Sequence, residues 1–164
     1  MSALAPGTPA LAPLAPMTVA RLDAVMAIET AAYEFPWTRG NFIDSLAAGY
    51  AARLLLDERG ATLGYFVAMA GVDEMHLLNL TVAPAVQGRG HARVLFEALQ
   101  QCSRQQGAAT LWLEVRESNR AARSIYRHWG FGEVGLRKRY YPAAAGRRED
   151  AVVMSLGLAA EAPP

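Results

Sequence analysis

The sequence predicts an α/β (α+β) chain, with a mixed central sheet of six to seven strands flanked by helices in three layers. Three observations carry that prediction. The segments read helix, helix, three strands, helix, strand, helix, two strands. Short turns join the first three strands, so they run antiparallel, while the strand–helix–strand pieces that follow need parallel, right-handed crossovers. The 164 residues are 52% hydrophobic and 19% charged, which suits one domain with a packed core.

Each element has its own local signal. Thr18 is placed to cap a helix to about Ala32, with Val19, Leu22, Val25, Met26 and Ile28 at helical spacing. Tyr33-Glu34-Phe35-Pro36-Trp37 interrupts it, and Thr38 caps a second short helix to about Ala47. Ala51–Asp57 and Ala61–Ala70 read as a hairpin about Glu58-Arg59-Gly60, and Gly71-Val72-Asp73 turns into a third strand, Glu74–Val82. A glycine-containing loop, Gln87–Gly90, opens a helix to about Gln106, buried through Val94, Leu95, Ala98, Leu99 and Cys102, and Gly107 ends it. Leu111–Val115 is a short strand. Ser118 or Asn119 caps the next helix, whose stripe is Ala122, Ile125, Tyr126 and Trp129. Glu133–Tyr140 and Ala151–Leu158 form the final antiparallel pair.

Composition excludes several classes. A formal net charge of +1 gives no global pull towards nucleic acid or an anionic membrane. The single cysteine, Cys102, allows no intrachain disulfide and no zinc cluster, so no metal is expected. Residues 1–16 are an Ala/Pro/Leu stretch with four prolines and no charged side chain, expected to be a disordered tail and unlike a signal peptide. A single domain is expected over 17–158, with a frayed end over 159–164. No run of about 18 apolar residues is present, and a cytoplasmic protein without nucleic-acid or membrane partners is expected.

The segment Gln87-Gly88-Arg89-Gly90-His91-Ala92-Arg93 joins a strand to a helix. Small residues let backbone amides approach a ligand, and the first amides of a helix lack internal partners at its positive end. Pyrophosphate suits such a site, and Arg89 and Arg93 add charge. The loop is neither a Walker A sequence nor a dinucleotide fingerprint, since Arg93 stands where the last glycine would fall. Alone, it is equally a glycine turn with two surface arginines.

After Val82-Ala83-Pro84, this loop resembles motif A of the GNAT N-acetyltransferases. Phe35-Pro36-Trp37, Leu111-Trp112-Leu113-Glu114-Val115-Arg116, Ser118-Asn119, Ile125-Tyr126, Gly130-Phe131, Tyr140-Tyr141-Pro142 and Arg148-Glu149-Asp150-Ala151 extend the likeness to the RimI-type ribosomal protein alanine N-acetyltransferases, over about residues 18–158. The resemblance implies a GNAT-like fold whose two central parallel strands splay. It implies acetyl-CoA as cosubstrate along Leu80, Thr81 and Val82, with its pyrophosphate at Gly88, Arg89, Gly90, His91, Ala92 and Arg93, and with Asn119 touching it. The implied substrate is a protein N-terminus, the N-terminal alanine of small-subunit ribosomal protein S-eighteen. Phe35, Trp37, Tyr140 and Tyr141 are implied to embrace that peptide, and Glu34, Glu149 and Asp150 are candidates to pair with a basic residue in it.

The resemblance makes Glu114 the base and Tyr126 the acid. An α-amine has a pKa near 7.7–8.0 against about 10.4 for lysine, so freeing its lone pair is easier by about 3.5 kcal/mol, and a modest base suffices. Glu114 is the one acid in an apolar strand, on a face with Trp112 and opposite Leu111, Leu113 and Val115. Tyr126 lies on a helix stripe and is equally a core residue by periodicity. A phenol near 10 is a weak acid towards a thiolate of about 8.5, so a hydrogen bond to the leaving sulfur is the firmer expectation. A GNAT enzyme acting on lysines or small amines, and a CoA-binding module without catalysis, remain the alternatives.

Overall fold

The computed structural model describes residues 14–159. Seven strands form one sheet in the order β1-β2-β3-β4-β5-β7-β6, with β1 Ala15–Pro16, β2 Ala51–Leu56, β3 Thr62–Ala70, β4 Glu74–Val82, β5 Thr110–Arg116, β6 Gly132–Pro142 and β7 Arg148–Gly157. The helices are α1 Leu22–Ala32, α2 Arg39–Ala47, α3 His91–Gln105 and α4 Arg120–His128. Among the described residues only β4 and β5 run parallel; all other neighbours are antiparallel.

Two cores make the three layers. On one face, Leu95, Phe96 and Leu99 of α3 pack on Phe66, Met75, Leu77, Leu111, Leu113, Val115 and Met154. On the other, Leu22, Val25 and Ile28 of α1 and Phe42 of α2 pack on Leu54, Tyr65 and Val67. Among the described residues no helix is long and apolar enough to cross a membrane.

The start of the chain differs from expectation at two points. Ala15 and Pro16, assigned by composition to the tail, pair with Leu54 and Arg53 as a two-residue edge strand. An edge position tolerates proline because its missing N–H faces away from the ladder. Residues 1–13 of the expected tail and 160–164 of the expected frayed end lie outside the described residues. Ala159, the first residue of that expected end, accepts a hydrogen bond from Arg104 at 3.2 Å. Thr18 makes no side-chain cap; a 3-10 turn, Val19–Arg21, leads into α1, which leaves Val19 58% exposed rather than on the buried stripe. Thr38 does cap α2, with Asn41 completing a reciprocal capping box.

Candidate active site

The site begins where β4 and β5 part. Their pairing runs Glu74–Thr110, Met75–Leu111, His76–Trp112 and Leu77–Leu113, and stops there. β4 carries a bulge at that point. Its pairing with β3 shifts between Leu77–Ala68 and Asn79–Val67, so Leu78 is the extra residue. A bulge bends its strand, and here it turns β4 away from β5 just past the last shared rung. The splay implied by the resemblance thus has a local cause. A cavity of about 380 Å³ fills the fork, lined on one side by Leu77, Leu78, Asn79 and Leu80 and on the other by Leu113, Glu114, Val115 and Arg116.

A second cavity, about 780 Å³, lies under the N-terminus of α3. Leu80, Thr81, Val82, Gly88, Gly90, His91, Ala92, Arg93 and Asn119 line it, together with Gln87 and part of α4. The α3 hydrogen-bond ladder starts with Val94 N–H to Gly90 C=O at 3.3 Å, so the amides of His91, Ala92 and Arg93 precede it. Gly90 caps the helix at φ 84°, with no side-chain cap and no acidic residue in the first turn. By contrast, Thr38 and Asn119 cap α2 and α4. A Cβ at Gly88 or Gly90 would meet nothing within 4 Å, so it is the left-handed backbone, not crowding, that requires glycine. Arg89 is exposed and does not line the cavity, while Arg93 turns to Glu97 at 3.1 Å. The Thr81 hydroxyl donates to Asn79 Oδ1 at 2.6 Å and accepts from Tyr33 at 2.6 Å, which uses its one proton within the chain.

Glu114 and Tyr126 approach the fork from opposite faces of the sheet. Glu114 alternates away from Leu113 and Val115, whereas Tyr126 packs on the cluster holding both. They line the same 380 Å³ cavity, and Tyr126 also lines the larger one. The Glu114 side chain is only 6% exposed; its Oε2 lies 2.5 Å from His76 Nε2 and its Oε1 3.5 Å from Arg137 Nε. Trp129 and Phe131 hold the Tyr126 ring at 5.8 and 5.4 Å between centroids. Burial pushes the Tyr126 phenol up from its ordinary value, helped by Tyr33 and Tyr141 nearby.

Two lips frame the cavity mouth. Phe35 and Trp37, between α1 and α2, line one side, and Tyr141 and Pro142, at the end of β6, line the other. The guanidinium of Arg116 bridges them, 5.2 Å from the Phe35 ring centroid and 4.6 Å from that of Tyr141. Tyr140, expected beside Tyr141 in the site, does not line it; it meets Tyr141 edge-on at 4.9 Å and stacks near Arg137 instead. The reason is an irregularity in β6 between Arg137 and Tyr141, where Arg139 has φ 55°. Such a backbone costs about 1–3 kcal/mol, offset here by Asp150 Oδ1 accepting the Arg139 amide and Arg148 donating to the carbonyls of Arg139 and Tyr140, each at 2.8 Å. Asp150 is therefore a support for the lip. Glu149 is another, since it accepts from Arg116 at 3.1 Å and from the Ser118 amide at 2.8 Å. Those bonds, Ser118 first, hold its carboxyl below the usual carboxylate range.

Sequence reasoning missed Glu29, Tyr33 and His76. Glu29 is 1% exposed and accepts from Tyr65 at 2.6 Å, Asn79 at 3.0 Å and the Trp37 amide at 3.0 Å. Its signal was present: it continues Leu22 and Val25 at helical spacing, an acid on a buried stripe. Tyr33, whose phenol burial pushes up to about 12, hangs over both cavities. Its partner Thr81 is 48 residues away, beyond any local pattern.

The GNAT acetyltransferase family model matches residues 22–131. A [ribosomal protein bS18]-alanine N-acetyltransferase of Haemophilus ducreyi is 40% identical over 131 residues, covering 80% of this chain and 90% of that protein. The crystal structure of the ribosomal-protein-S18-alanine N-acetyltransferase from Escherichia coli is 35% identical, with a TM-score of 0.81 and coverage of 92% and 96%. A phosphinothricin acetyltransferase from Sinorhizobium meliloti, solved with AcCoA, shares the fold at a TM-score of 0.73 and 21% identity, over 94% of this chain and 92% of that one. The chain belongs to the GNAT acetyltransferase family and is of the RimI type.

Proposed function

We propose that this GNAT acetyltransferase moves an acetyl group from acetyl-CoA to the N-terminal alanine of ribosomal protein bS18. One observation carries the reading: Glu114 and Tyr126 line a single cavity at the β4–β5 fork, and Tyr126 borders the cavity beneath α3 as well. The bS18-alanine acetyltransferases similar to this chain over most of its length support the substrate.

The residues present fit the cosubstrate. Positive-φ glycines at 88 and 90, the leading amides of α3 and the absence of an acid in its first turn suit a pyrophosphate. Beyond Leu77, the backbone edge of β4 that faces β5 has left the ladder, so Leu80–Val82 can pair with an extended amide-bearing arm. Acetyl-CoA supplies the acetyl group as a thioester.

Glu114 takes the proton from the incoming ammonium. That demand is modest, since an α-amine near pKa 7.7–8.0 is already partly neutral at pH 7. Arg137 Nε lies 3.5 Å from Oε1 of the same carboxylate. Tyr126, with its pKa raised by burial, holds its proton across the working range. Full transfer to a thiolate of about 8.5 is then uphill by more than about 2 kcal/mol. Its part is therefore a hydrogen bond from Oη to the leaving sulfur. Phe35 and Trp37 on one lip and Tyr141 on the other enclose the first residues of the peptide.

Mass spectrometry of a peptide panel incubated with acetyl-CoA tests the reading. Peptides that begin with the alanine of bS18 should gain one acetyl group on the α-amine. Acetylation confined to lysines or free small amines would replace the proposed substrate, and CoA binding without transfer would remove the activity.

A further inference from the structure

We propose that His76 is a positioning residue for Glu114, a clasp at the last rungs of the β4–β5 ladder that fixes the carboxylate in the fork. The inference rests on Glu114 being the base.

Register puts the three residues together. His76 pairs with Trp112 across the parallel strands, and Glu114 is two residues beyond Trp112, hence on the same face. One rung later, after Leu77–Leu113, the strands part. Glu114 is thus the first β5 residue without a β4 partner, and its backbone no longer receives guidance from β4. The side-chain bond from His76 Nε2 to Glu114 Oε2, 2.5 Å long, replaces the missing rung.

The ring is held for that purpose. His76 is 8% exposed and lies flat on the Trp112 indole, with centroids 3.6 Å apart and planes 9° from parallel. Its Nδ1 is buried and, among the described residues, has no partner. The only hydrogen bond orienting the imidazole is therefore the one to Glu114, and it assigns the Nε2 proton to that bond. The other oxygen, Oε1, has only the looser contact with the half-exposed Arg137, 3.5 Å from its Nε, so the His76 bond is the tighter of the two that set the pose of the carboxylate. A carboxylate free to rotate would present either oxygen in several poses, and a misplacement of about 1 Å at a reacting group can cost 100-fold in rate.

A double-mutant cycle tests the clasp with single-turnover peptide acetylation and acetyl-CoA binding as readouts. His76→Phe keeps the stack on Trp112 and removes the bond. In the otherwise native chain it should lower kcat about 10- to 100-fold, with acetyl-CoA affinity changed less than about twofold. In the Glu114→Gln background it should lower the remaining rate less than about twofold, because positioning acts only through the carboxylate. An equal loss in both backgrounds would show a packing role and overturn the proposal, as would no loss in the native background. If Glu114→Gln itself turns over like the native chain, the base assignment fails; if only the His76 variant does, the clasp alone fails. Should His76→Phe not fold, His76→Asn, polar but too short to reach Glu114, enters the same cycle with the same criteria.

Discussion

The amide of Trp37 donates to the carboxylate of Glu29 at 3.0 Å, and this carboxylate is almost wholly buried. Tyr65 and Asn79 share its other oxygen, so one α1 side chain ties the Phe35–Trp37 lip to β3 and β4. Glu29→Gln puts an NH2 group where a donor already points. The variant should lose about 1–3 kcal/mol of stability in urea melts and raise the peptide KM more than the acetyl-CoA KM. An unchanged midpoint with unchanged KM values would show that the lip does not depend on this bond.

Glu114→Gln should reduce kcat about 100- to 10,000-fold, the usual range for a lost general base. Tyr126→Phe removes one donor to the leaving group and should cost about 100- to 1,000-fold. Both should keep acetyl-CoA affinity by calorimetry. Native-like turnover in either variant would end that residue's assigned role.

Gly90→Ala should weaken acetyl-CoA binding while the peptide KM holds. A Cβ there meets no protein atom, so the chain's own part of the effect comes from the left-handed backbone, about 1 kcal/mol or more. Calorimetric titration with CoA reads it directly. Equal affinity would mean that the loop relaxes without loss and does not need its φ of 84°.

Five of the six tyrosines, Tyr33, Tyr65, Tyr126, Tyr140 and Tyr141, have their phenols pushed up, chiefly by burial. A raised acid favours the folded state while it stays neutral. This stability is present below the unfolded value near 10 and is lost as pH climbs towards the folded values, about 12 for Tyr33. Tyrosinate absorbance at pH 10 to 11 should therefore be far smaller in the native chain than in denaturant. Equal titration curves would contradict the burial of the Tyr65 and Tyr126 hydroxyls. A kcat decline below pH 10 traced to Tyr126 would contradict the upward shift of its phenol.

The features that single out the candidate residues are local. The α3 loop declares itself through glycines at a strand–helix junction, and Glu114 through its isolation in an apolar strand. Tyr126 was ambiguous for a physical reason: it packs with Trp129 and Phe131 and lines both cavities, so its stripe position was true and incomplete. Tyr140 was misplaced because the left-handed turn at Arg139, a non-glycine residue, leaves no mark in composition. The tail boundary failed because Pro16 looks like a breaker until an edge strand gives it a place.

Periodicity, turn residues and the motif A loop were enough for the sequence alone to determine the element order, the mixed sheet and the anion-ready start of α3. Each depends on neighbours within a few positions along the chain. Only the tertiary structure decided how β4 and β5 separate, why Leu78 makes them do so, and what holds Glu114 at the fork. Those features arise from pairings across 38 to 50 residues, His76 with Glu114 and Glu29 with Asn79, whose free energy exists only once the sheet has formed. Glu114 stands out in the sequence as the one acid of an apolar strand, though only the family resemblance gives it a role; its tie to His76 does not stand out, because a histidine in one strand says nothing about its partner in another.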